Sequence, residues 1–477
     1  MTMPSSRFIK FFFILFGLFS TVFGSETVHH GTPHLDGSIL SIYWVIPFAG
    51  ILLSIALFPL VAPRFWHHHF GKVSLFWALS FLIPFSIKEG FVITTYEMVH
   101  VTLLEYIPFI ILLLALFTIS GGVRLTGALV GKPVTNVLLI LSGTLFASWM
   151  GTTGAAMLLI RPLIRANADR KYKVHTIVFF IFLVANIGGS LTPLGDPPLF
   201  LGFLKGVDFF WTLFAMIKPM LVMIVLLITI YYLLDSYYYK KELPKTEPVE
   251  KHKLGLEGSK NLLLLLGVIG SVLLSGFWNP NIHITVYYVV VELQDLARDF
   301  LLLALTVVSW KITSHTIHEA NEYTWFPITE VGKLFAGIFV TIIPAIAILK
   351  AGTHGALASI INMVSSNGEP VNYMYFWLTG ILSSFLDNAP TYLVFFNTAG
   401  GHAVTLMTTH HNTLLAISTG AVFMGANTYV GNAPNFMVKS IAESSGIDMP
   451  SFFGYLFKYS LPILIPLYII IDYIFFV

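Results

Sequence analysis

The sequence predicts an all-α polytopic membrane protein made of two inverted repeats, each with a re-entrant hairpin and a broken transmembrane helix. Composition is the first observation behind this prediction, because 56% of the 477 residues are hydrophobic and only 10% are charged. This is typical of a chain that crosses a bilayer many times. In addition, two long apolar segments are interrupted by glycine, proline and polar residues, and the interruptions recur half a chain apart.

The first interruption lies at residues 185–203, where an apolar segment contains glycines, three prolines and Asp196. Proline lacks a backbone donor and its ring clashes with the preceding turn, so we expect the helix to open over residues 192–198. Inside a bilayer, open backbone is tolerated only where protein or a water-filled cavity satisfies its polar groups. The segment therefore predicts a helix that is broken near the middle of the membrane.

A second interruption, at residues 425–436, repeats the first at a constant offset along the chain. The matching pairs are Gly189 and Gly425, Thr192 and Thr428, Gly195 and Gly431, Asp196 and Asn432, Pro198 and Pro434, and Phe200 and Phe436. Two broken helices at corresponding positions are typical of secondary transporters that are built from repeats.

Two further apolar segments, residues 134–166 and 375–399, are too short to cross the membrane twice and too apolar to be loops. Their centres hold Gly-Thr-Thr-Gly at 151–154 and Asp-Asn-Ala-Pro at 387–390. We interpret both as re-entrant hairpins that dip to the middle of the membrane and return to the same side. Aligning them pairs Gly143 with Gly380 and Gly151 with Asn388, and this offset agrees within one residue with that of the broken helices. The agreement supports the repeat.

The other long apolar runs are expected to cross the membrane. They are 38–62, 73–93, 97–120, 174–203, 209–235, 260–277, 286–309, 334–349, 414–441 and 452–476. Basic residues in the loops 161–173 and 240–260 predict that both loops are cytoplasmic, and the two crossings between them are consistent with that. Tracing the crossings then opens one hairpin to the cytoplasm and the other to the outside, so the repeats are inverted. We expect His67, His68 and His69 in a short basic loop.

Residues 1–24 have the basic start, apolar core and small-residue end of a signal peptide. An uncleaved N-terminal anchor is the alternative. The rest of the chain is expected to divide into a first transmembrane repeat at 38–235, a cytoplasmic linker at 236–259 and a second transmembrane repeat at 260–476. The signal-like start and the basic loops fit a bacterial inner membrane.

Several function classes are disfavoured by composition. The net charge is only +2, so no basic surface for nucleic acid is expected, and the absence of cysteine removes disulfides and thiolate sites. No phosphate loop or nucleophilic triad occurs where a soluble domain could carry it, and the linker is too short for an ATPase domain. We therefore expect a transporter driven by ion gradients in the lipid bilayer, not an enzyme, with no cofactor besides transported Na⁺ and H⁺.

The ends of broken helices expose unpaired N–H and C=O groups and carry partial charge, so they can hold ions with few charged side chains. Neutral side-chain oxygens near these ends suit a dehydrating Na⁺. They belong to Thr152, Thr153, Asn186 and Thr192 in the first half and to Asn388, Thr391, Asn427, Thr428 and Asn432 in the second. The alternative is that these polar side chains only satisfy the broken backbone.

Asp196 and Asp387 are carboxylates in apolar surroundings. A carboxylate at the bilayer centre costs about 2.5–3.5 kcal/mol on insertion scales, so it is normally paired or functional. Burial disfavours the charged form of such a group and a bound cation favours it, so it can release a proton when Na⁺ arrives. Together with Asn388, both aspartates are candidate Na⁺ ligands. The alternative is that each caps a half-helix, since each stands at a turn followed by proline.

Other charged residues interrupt apolar runs or end them. Glu292, Asp295, Arg298 and Asp299 share one helical face, and Glu97, His100 and Glu105 form a similar group. The first group could line a proton path or form an internally neutralised polar face at an interface. In the second group the histidine could titrate near neutral pH, or the group could have a structural role at a membrane end. Arg161, at the end of the first hairpin, could attract an anion or anchor the cytoplasmic side.

Residues 186–199, Asn-Ile-Gly-Gly-Ser-Leu-Thr-Pro-Leu-Gly-Asp-Pro-Pro-Leu, and residues 385–391, Phe-Leu-Asp-Asn-Ala-Pro-Thr, resemble motifs of a known superfamily. They are similar to the NhaD-type sodium/proton antiporters and arsenite permeases of the ion transporter superfamily, which also includes citrate and dicarboxylate carriers. The resemblance covers residues 38–476. It implies two inverted repeats, a homodimer formed through a scaffold part, and elevator-like movement of the hairpin part.

The dicarboxylate carriers of that superfamily typically carry Ser-Asn-Thr at both hairpin tips, and this chain departs from that pattern. Its tips are Gly-Thr-Thr-Gly at 151–154 and Asp-Asn-Ala-Pro at 387–390. An aspartate at a tip would repel a carboxylate and suit a cation. The resemblance therefore implies sodium/proton antiport, with a Na⁺-coupled di- or tricarboxylate symporter or an arsenite permease as the alternatives.

Overall fold

The computed structural model describes residues 33–127, 129–242, 255–366 and 368–477. The predicted signal peptide at 1–24 lies outside these residues. Within them the predicted all-α polytopic class is confirmed, because the chain forms a bundle of helices with three short two-stranded sheets.

The first half contains nine helices and one strand in its described residues. They are α1 (Ile46–Val61), α2 (Pro63–Glu89), α3 (Phe91–Val101), α4 (Ile107–Gly121), β1 (Arg124–Thr126), α5 (Pro133–Met150), α6 (Thr152–Ala166), α7 (Val174–Leu183), α8 (Pro197–Leu204) and α9 (Phe209–Lys240). A π-helical turn, Thr102–Tyr106, joins α3 to α4 without a break.

The second half begins with β2 (Gly255–Glu257), which pairs antiparallel with β1. The elements that follow are α10 (Lys260–Phe277), β3 (His283–Val286), β4 (Val289–Glu292), α11 (Leu293–Ile312), α12 (His315–Ala320), α13 (Phe326–Thr341), α14 (Ile343–Lys350), α15 (Ala358–Val364), β5 (Ser365–Ser366), β6 (Glu369–Pro370), α16 (Asn372–Phe385), α17 (Asn388–Thr398), α18 (Ala403–Met407), α19 (His411–Met424), α20 (Ala433–Ser444), α21 (Phe452–Tyr455) and α22 (Leu461–Phe475).

Among the described residues, seven helices are long and apolar enough to cross a bilayer, and the bent pair α13–α14 makes eight if it is one span. The seven are Ile42–Val61, Pro63–Glu89, Phe91–Gly121, Pro133–Met150, Phe209–Lys240, Lys260–Phe277 and Phe452–Phe475. Helix α5, which we assigned to a hairpin arm, is among them. The arms of the broken helices are each too short, and α11 carries four charged side chains within its 20 residues.

The starts of two predicted spans differ from the structure. Helix α2 begins at Pro63, well before the predicted span at 73–93, so His67, His68 and His69 lie in a helix and not in a loop; proline at a first helical position is favourable there. The predicted span 286–309 starts with a β-hairpin. Tyr287 and Tyr288 both have positive φ, as a two-residue hairpin turn requires, and the flanking β-branched residues favour strands.

The predicted linker, 236–259, is partly structured. Helix α9 continues into that range as far as Lys240, and Gly255–Glu257 forms a strand; residues 243–254 lie outside the described part of the chain.

Both predicted broken helices are found. In the first, α7 ends at Leu183, a 3₁₀ turn covers Ile187–Ser190, and α8 starts at Pro197. In the second, a 3₁₀ turn at Gly425–Asn427 separates α19 from α20. A Cβ on Gly195 would overlap the Gly189 carbonyl, and a Cβ on Gly431 would crowd that of Gly425. Only glycine permits this close approach of backbone within each break.

The same hydrogen bonds close both breaks. Thr192 Oγ1 donates to the carbonyl of Ser148, and at the corresponding position of the second half Thr428 Oγ1 donates to the carbonyl of Ser384. Each threonine hydroxyl also accepts from the backbone N–H two residues ahead, at 3.2 Å in both halves. These recurring contacts support the internal repeat, whereas the inverted orientation of the two halves stays a prediction.

Each hairpin packs against the broken helix of the other half. In the first hairpin, α5 and α6 turn at Gly151, whose φ of +80° favours glycine, and in the second, α16 and α17 turn at Asp387. Helix α6 of the first hairpin packs against α20 of the second broken helix, and α17 of the second hairpin packs against α8 of the first. Both hairpin tips are therefore brought to both helix breaks.

Candidate functional site

Asp196 lies at the crossing of the two halves and is 1% exposed. It is the residue before α8, with extended backbone, and its side chain does not cap that helix. Instead its Oδ1 accepts from Asn432 Nδ2 at 3.0 Å and from Thr152 Oγ1 at 3.4 Å, while its Oδ2 accepts from Asn388 Nδ2 at 2.6 Å. One carboxylate thus joins both hairpin tips to both broken helices.

Backbone contacts fix this arrangement. The Thr152 N–H donates to the carbonyl of Gly195 at 2.9 Å, which ties the first hairpin tip to the first break. Asn432 Nδ2 donates in addition to the carbonyl of Ala185 at 3.1 Å, which ties the second break to the end of the first arm. Thr152 and Asn432, which donate to the carboxylate of Asp196, are therefore fixed in position by their own contacts with backbone carbonyls.

Asp387 has a different environment. Its Oδ1 accepts from the Ala389 N–H at 3.0 Å and its carbonyl accepts from Thr391 Oγ1 at 2.9 Å, so it caps α17. This is the capping contact that the sequence left open as an alternative. Asp387 nevertheless lines the same cavity as Asp196.

A cavity of about 120 Å³ lies between the hairpin tips, the breaks and the apolar helices α4 and α13. Its polar wall contains Thr152, Thr153, Asp196, Asp387 and Asn432. The opposite wall is apolar and includes Phe109, Leu116 and Phe335. Of the described residues that line this cavity, two are Asp and none is Lys, Arg or His. Its charged groups are therefore acidic.

Three amide oxygens of the hairpin tips and helix breaks have no hydrogen-bond partner among the described residues, and one of them belongs to Asn388, which contacts Asp196. They are the Oδ1 atoms of Asn186, Asn388 and Asn427, and all three residues are buried. A buried unpaired acceptor is costly, and a cation can satisfy it. The other candidates, Thr192 and Thr428, donate to backbone carbonyls, which is the structural role that the sequence left open.

Asn435, Ser148 and Ser384 belong to this region but were not predicted. Asn435 Oδ1 accepts from Asn186 Nδ2 at 2.7 Å, and Asn435 Nδ2 donates to the carbonyls of Gly425 and Thr428 at 2.9 Å. Ser148 and Ser384 supply the carbonyls that receive Thr192 and Thr428. The two serines stand at the same distance along the chain from their breaks, and this matching spacing was a signal that could have identified them.

The other charged candidates lie away from the cavity. Arg161 pairs with Glu322 at 2.8 Å, and Arg298 pairs with Asp295 and Asp299 at 2.8 Å each. Glu105 pairs with Lys205 at 2.5 Å. Among the described residues, no group of three or more His, Cys, Asp and Glu could hold a metal ion. The central region offers carboxylate, amide and hydroxyl oxygens, which match the hard oxygen ligands of a simple cation.

Residues 37–476 match a protein family described as "Putative citrate transport". The match covers almost all of the chain from α1 to α22. A comparison with curated proteins gives no match.

Proposed function

The chain belongs to the citrate transport family and is a secondary transporter, and we propose that it exchanges Na⁺ for H⁺ across the membrane. The observation that carries the proposal is the buried carboxylate of Asp196. It receives three neutral hydrogen bonds from both halves, and none of its hydrogen-bonding partners is a cation. A carboxylate at this depth needs either a proton or a cation, and exchange of the one for the other is the reaction we propose.

The ligands of Na⁺ would come from the same atoms. Asp196 Oδ1 and Oδ2 supply the charge, and the unpaired Oδ1 of Asn388 is an acceptor on the residue that already contacts Asp196. Thr152 Oγ1 is within 3.4 Å of the carboxylate and can turn its lone pairs toward a cation. When the cation leaves, a proton on Asp196 neutralises the carboxylate, and the amides keep their contacts with it.

The size and charge of the cavity favour a cation over a large anion. A volume of about 120 Å³ is well below the roughly 300–1,000 Å³ of typical pockets for organic ligands. A di- or tricarboxylate in this space would face Asp196 and Asp387 without a basic side chain to offset them. Like charges at close range in a low-dielectric site repel strongly.

Na⁺-coupled transport of citrate or a dicarboxylate is the second candidate, and the description of the matched family favours it. For this function the hairpins would have to separate, so that the central cavity enlarges, and Na⁺ bound at Asp196 would have to offset the acidic wall. We also propose that the protein resides in a bacterial inner membrane and works as a homodimer.

The test uses everted membrane vesicles with an imposed pH gradient and a pH-sensitive dye. We expect added Na⁺ to dissipate the gradient with the wild type and to have no effect with Asp196→Asn, which keeps the volume but loses the charge. Asp448→Asn is the matched control, because Asp448 is an exposed aspartate that does not line the cavity. Na⁺-dependent uptake of citrate without Na⁺-driven proton movement would replace the proposal with the second candidate.

A further inference from the structure

A second, larger cavity lies away from the central site. It has a volume of about 860 Å³ and is bounded by α4, α10, α11, the end of α8 and the β3–β4 hairpin. Its wall is predominantly apolar, with Leu104, Ile107, Phe203, Leu273 and Leu303 among the lining residues. The volume is in the upper part of the range for ligand pockets.

The cavity opens between apolar side chains that are exposed. Phe277 on α10 is 67% exposed and Phe300 on α11 is 71% exposed, and both line the cavity. Exposed aromatic and aliphatic side chains on apolar helices are the surface that a bilayer covers. The cavity is therefore open toward the hydrocarbon region and accessible to a lipid chain.

One end of the cavity is polar and buried. Arg298 is 1% exposed, its Nε donates to Asp299 and its Nη1 to Asp295, both at 2.8 Å, and its Nη2 has no partner in the described chain. The Oε1 of Gln294 is likewise buried without a partner. A free donor and a free acceptor therefore stand on adjacent turns of α11, and both residues line the cavity.

The charge at this end is negative despite the arginine. Arg298 contacts Asp295 and Asp299, Glu292 directly precedes α11, and Asp208, before α9, also lines the cavity. A purely anionic headgroup would gain the Arg298 donor but would meet the carboxylates of Glu292, Asp295 and Asp299. A ligand with both an anionic acceptor and a cationic donor satisfies both sides. This cluster lies at the N-terminal end of α11, directly after the β3–β4 hairpin.

We propose that this cavity binds a zwitterionic membrane phospholipid that carries a phosphate and a protonated amine with N–H donors. The phosphate accepts from Arg298 Nη2, and the ammonium donates to Gln294 Oε1 and to the carboxylate oxygens that Arg298 does not use. One acyl chain fills the apolar part of the cavity, and the rest of the lipid lies between Phe277 and Phe300 in the bilayer. This proposal does not depend on which ion or anion the central site transports.

The test is native mass spectrometry of the full chain, released from nanodiscs that contain equal amounts of phosphatidylethanolamine, phosphatidylglycerol and phosphatidylcholine. We expect phosphatidylethanolamine to be retained at least about fivefold over each of the others. Among the mono-, di- and trimethylated forms of phosphatidylethanolamine, retention should fall at the trimethylated form, whose ammonium has no N–H. Equal retention of phosphatidylglycerol, equal retention along the methylated series, or no retained lipid would overturn the proposal.

Variants of the cavity wall distinguish lipid binding in this cavity from general lipid binding to the protein surface. Gln294→Leu removes the free acceptor and leaves every ion pair in place, so we expect phosphatidylethanolamine retention to fall to the level of the other lipids. Thr285→Val is the matched control on β3, because Thr285 is exposed and does not line the cavity. Arg298→Lys serves as a second variant, since Arg298→Ala would leave Asp295 and Asp299 unpaired. Unchanged retention in Gln294→Leu would contradict the proposal.

Discussion

Asp196 and Asn432 occupy corresponding positions in the two halves, at the residue before the second arm of each broken helix, and they contact each other. Asn432 Nδ2 donates to Asp196 Oδ1 at 3.0 Å, and both residues adopt the same extended backbone, with φ of −145° and −151°. Corresponding positions of the two halves thus meet at the centre of the molecule. Of the two side chains in this pair, only that of Asp196 is charged.

Replacing Asn432 by Ala is expected to weaken Na⁺ transport. The variant loses the hydrogen bond to Asp196 and the one to the carbonyl of Ala185. A hydrogen bond to a charged group is worth about 1.5–3 kcal/mol, so we expect the apparent Km for Na⁺ to rise by roughly tenfold to a hundredfold. The Na⁺ dependence of gradient dissipation in vesicles measures this. An unchanged Km would show that the contact does not contribute to the ion site.

Gly195→Ala is expected to disrupt the first break. Its Cβ would overlap the Gly189 carbonyl, and overpacking in a tightly packed interior typically costs about 1–3 kcal/mol. Gly270→Ala in α10 is the control, because a Cβ there meets nothing within 4 Å. We expect the thermal unfolding temperature in detergent to fall for Gly195→Ala and to stay level or rise for Gly270→Ala. Equal effects of the two substitutions would contradict the close approach.

A buried ion pair holds the base of the first hairpin. Arg170 Nη1 contacts Asp235 at 2.7 Å, and both side chains are at most 1% exposed. His175 and Asn136 also contact the Asp235 carboxylate. Because removal of one partner leaves a buried charge uncompensated, we expect Arg170→Met to lower stability by about 3–5 kcal/mol.

Arg170 Nε also contacts Glu242 at 3.1 Å, and Arg170→Met unpairs both carboxylates. The double variant Arg170→Met/Asp235→Asn should be more stable than Arg170→Met alone, since it removes the charge of Asp235 while Asn keeps an acceptor for Asn136. Denaturation of the purified variants in detergent compares them. A double variant less stable than the single one would mean that the charge of Asp235 is compensated by other groups.

A second ion pair connects the broken helix to a π-helical turn. Lys205, at the end of α8, contacts Glu105 in Thr102–Tyr106 at 2.5 Å. Since Asp196 stands at the other end of α8, we expect Glu105→Lys to lower the transport rate by about tenfold or more. Glu105→Lys/Lys205→Glu should recover most of the loss. Vesicle transport assays of both variants test this, and failure of the reversed pair to recover activity would mean that the ion pair is not what positions α8.

The sequence predicts the helix breaks well because their signals are local. Proline and glycine determine where the helix opens. The open segment between the 3₁₀ turn Ile187–Ser190 and α8 covers residues 191–196, so it begins one residue before the predicted range 192–198. The β3–β4 hairpin and the early start of α2 were missed, since apolar, β-branched residues suit both a span and a short strand, and polar histidines suggest a loop.

The relative importance of the two aspartates could not be predicted from the sequence. Both precede a proline-containing arm in an apolar segment. In the structure Asp387 caps α17, whereas Asp196 gathers Asn388 and Asn432 from the other half. Contacts between residues so far apart along the chain depend on how the halves pack, and no local pattern reports that. The Na⁺-binding roles of both residues stay predictions.

The most direct test of the account is whether Na⁺ and H⁺ compete for the Asp196 carboxylate. The measurement is initial uptake of radioactive Na⁺ into proteoliposomes over a range of pH, with no organic anion present. We expect the apparent Km for Na⁺ to rise by up to about tenfold for each unit of falling pH, with an unchanged maximal rate, and uptake to vanish in Asp196→Asn. A Km that does not vary with pH, together with uptake that requires citrate, would contradict the account.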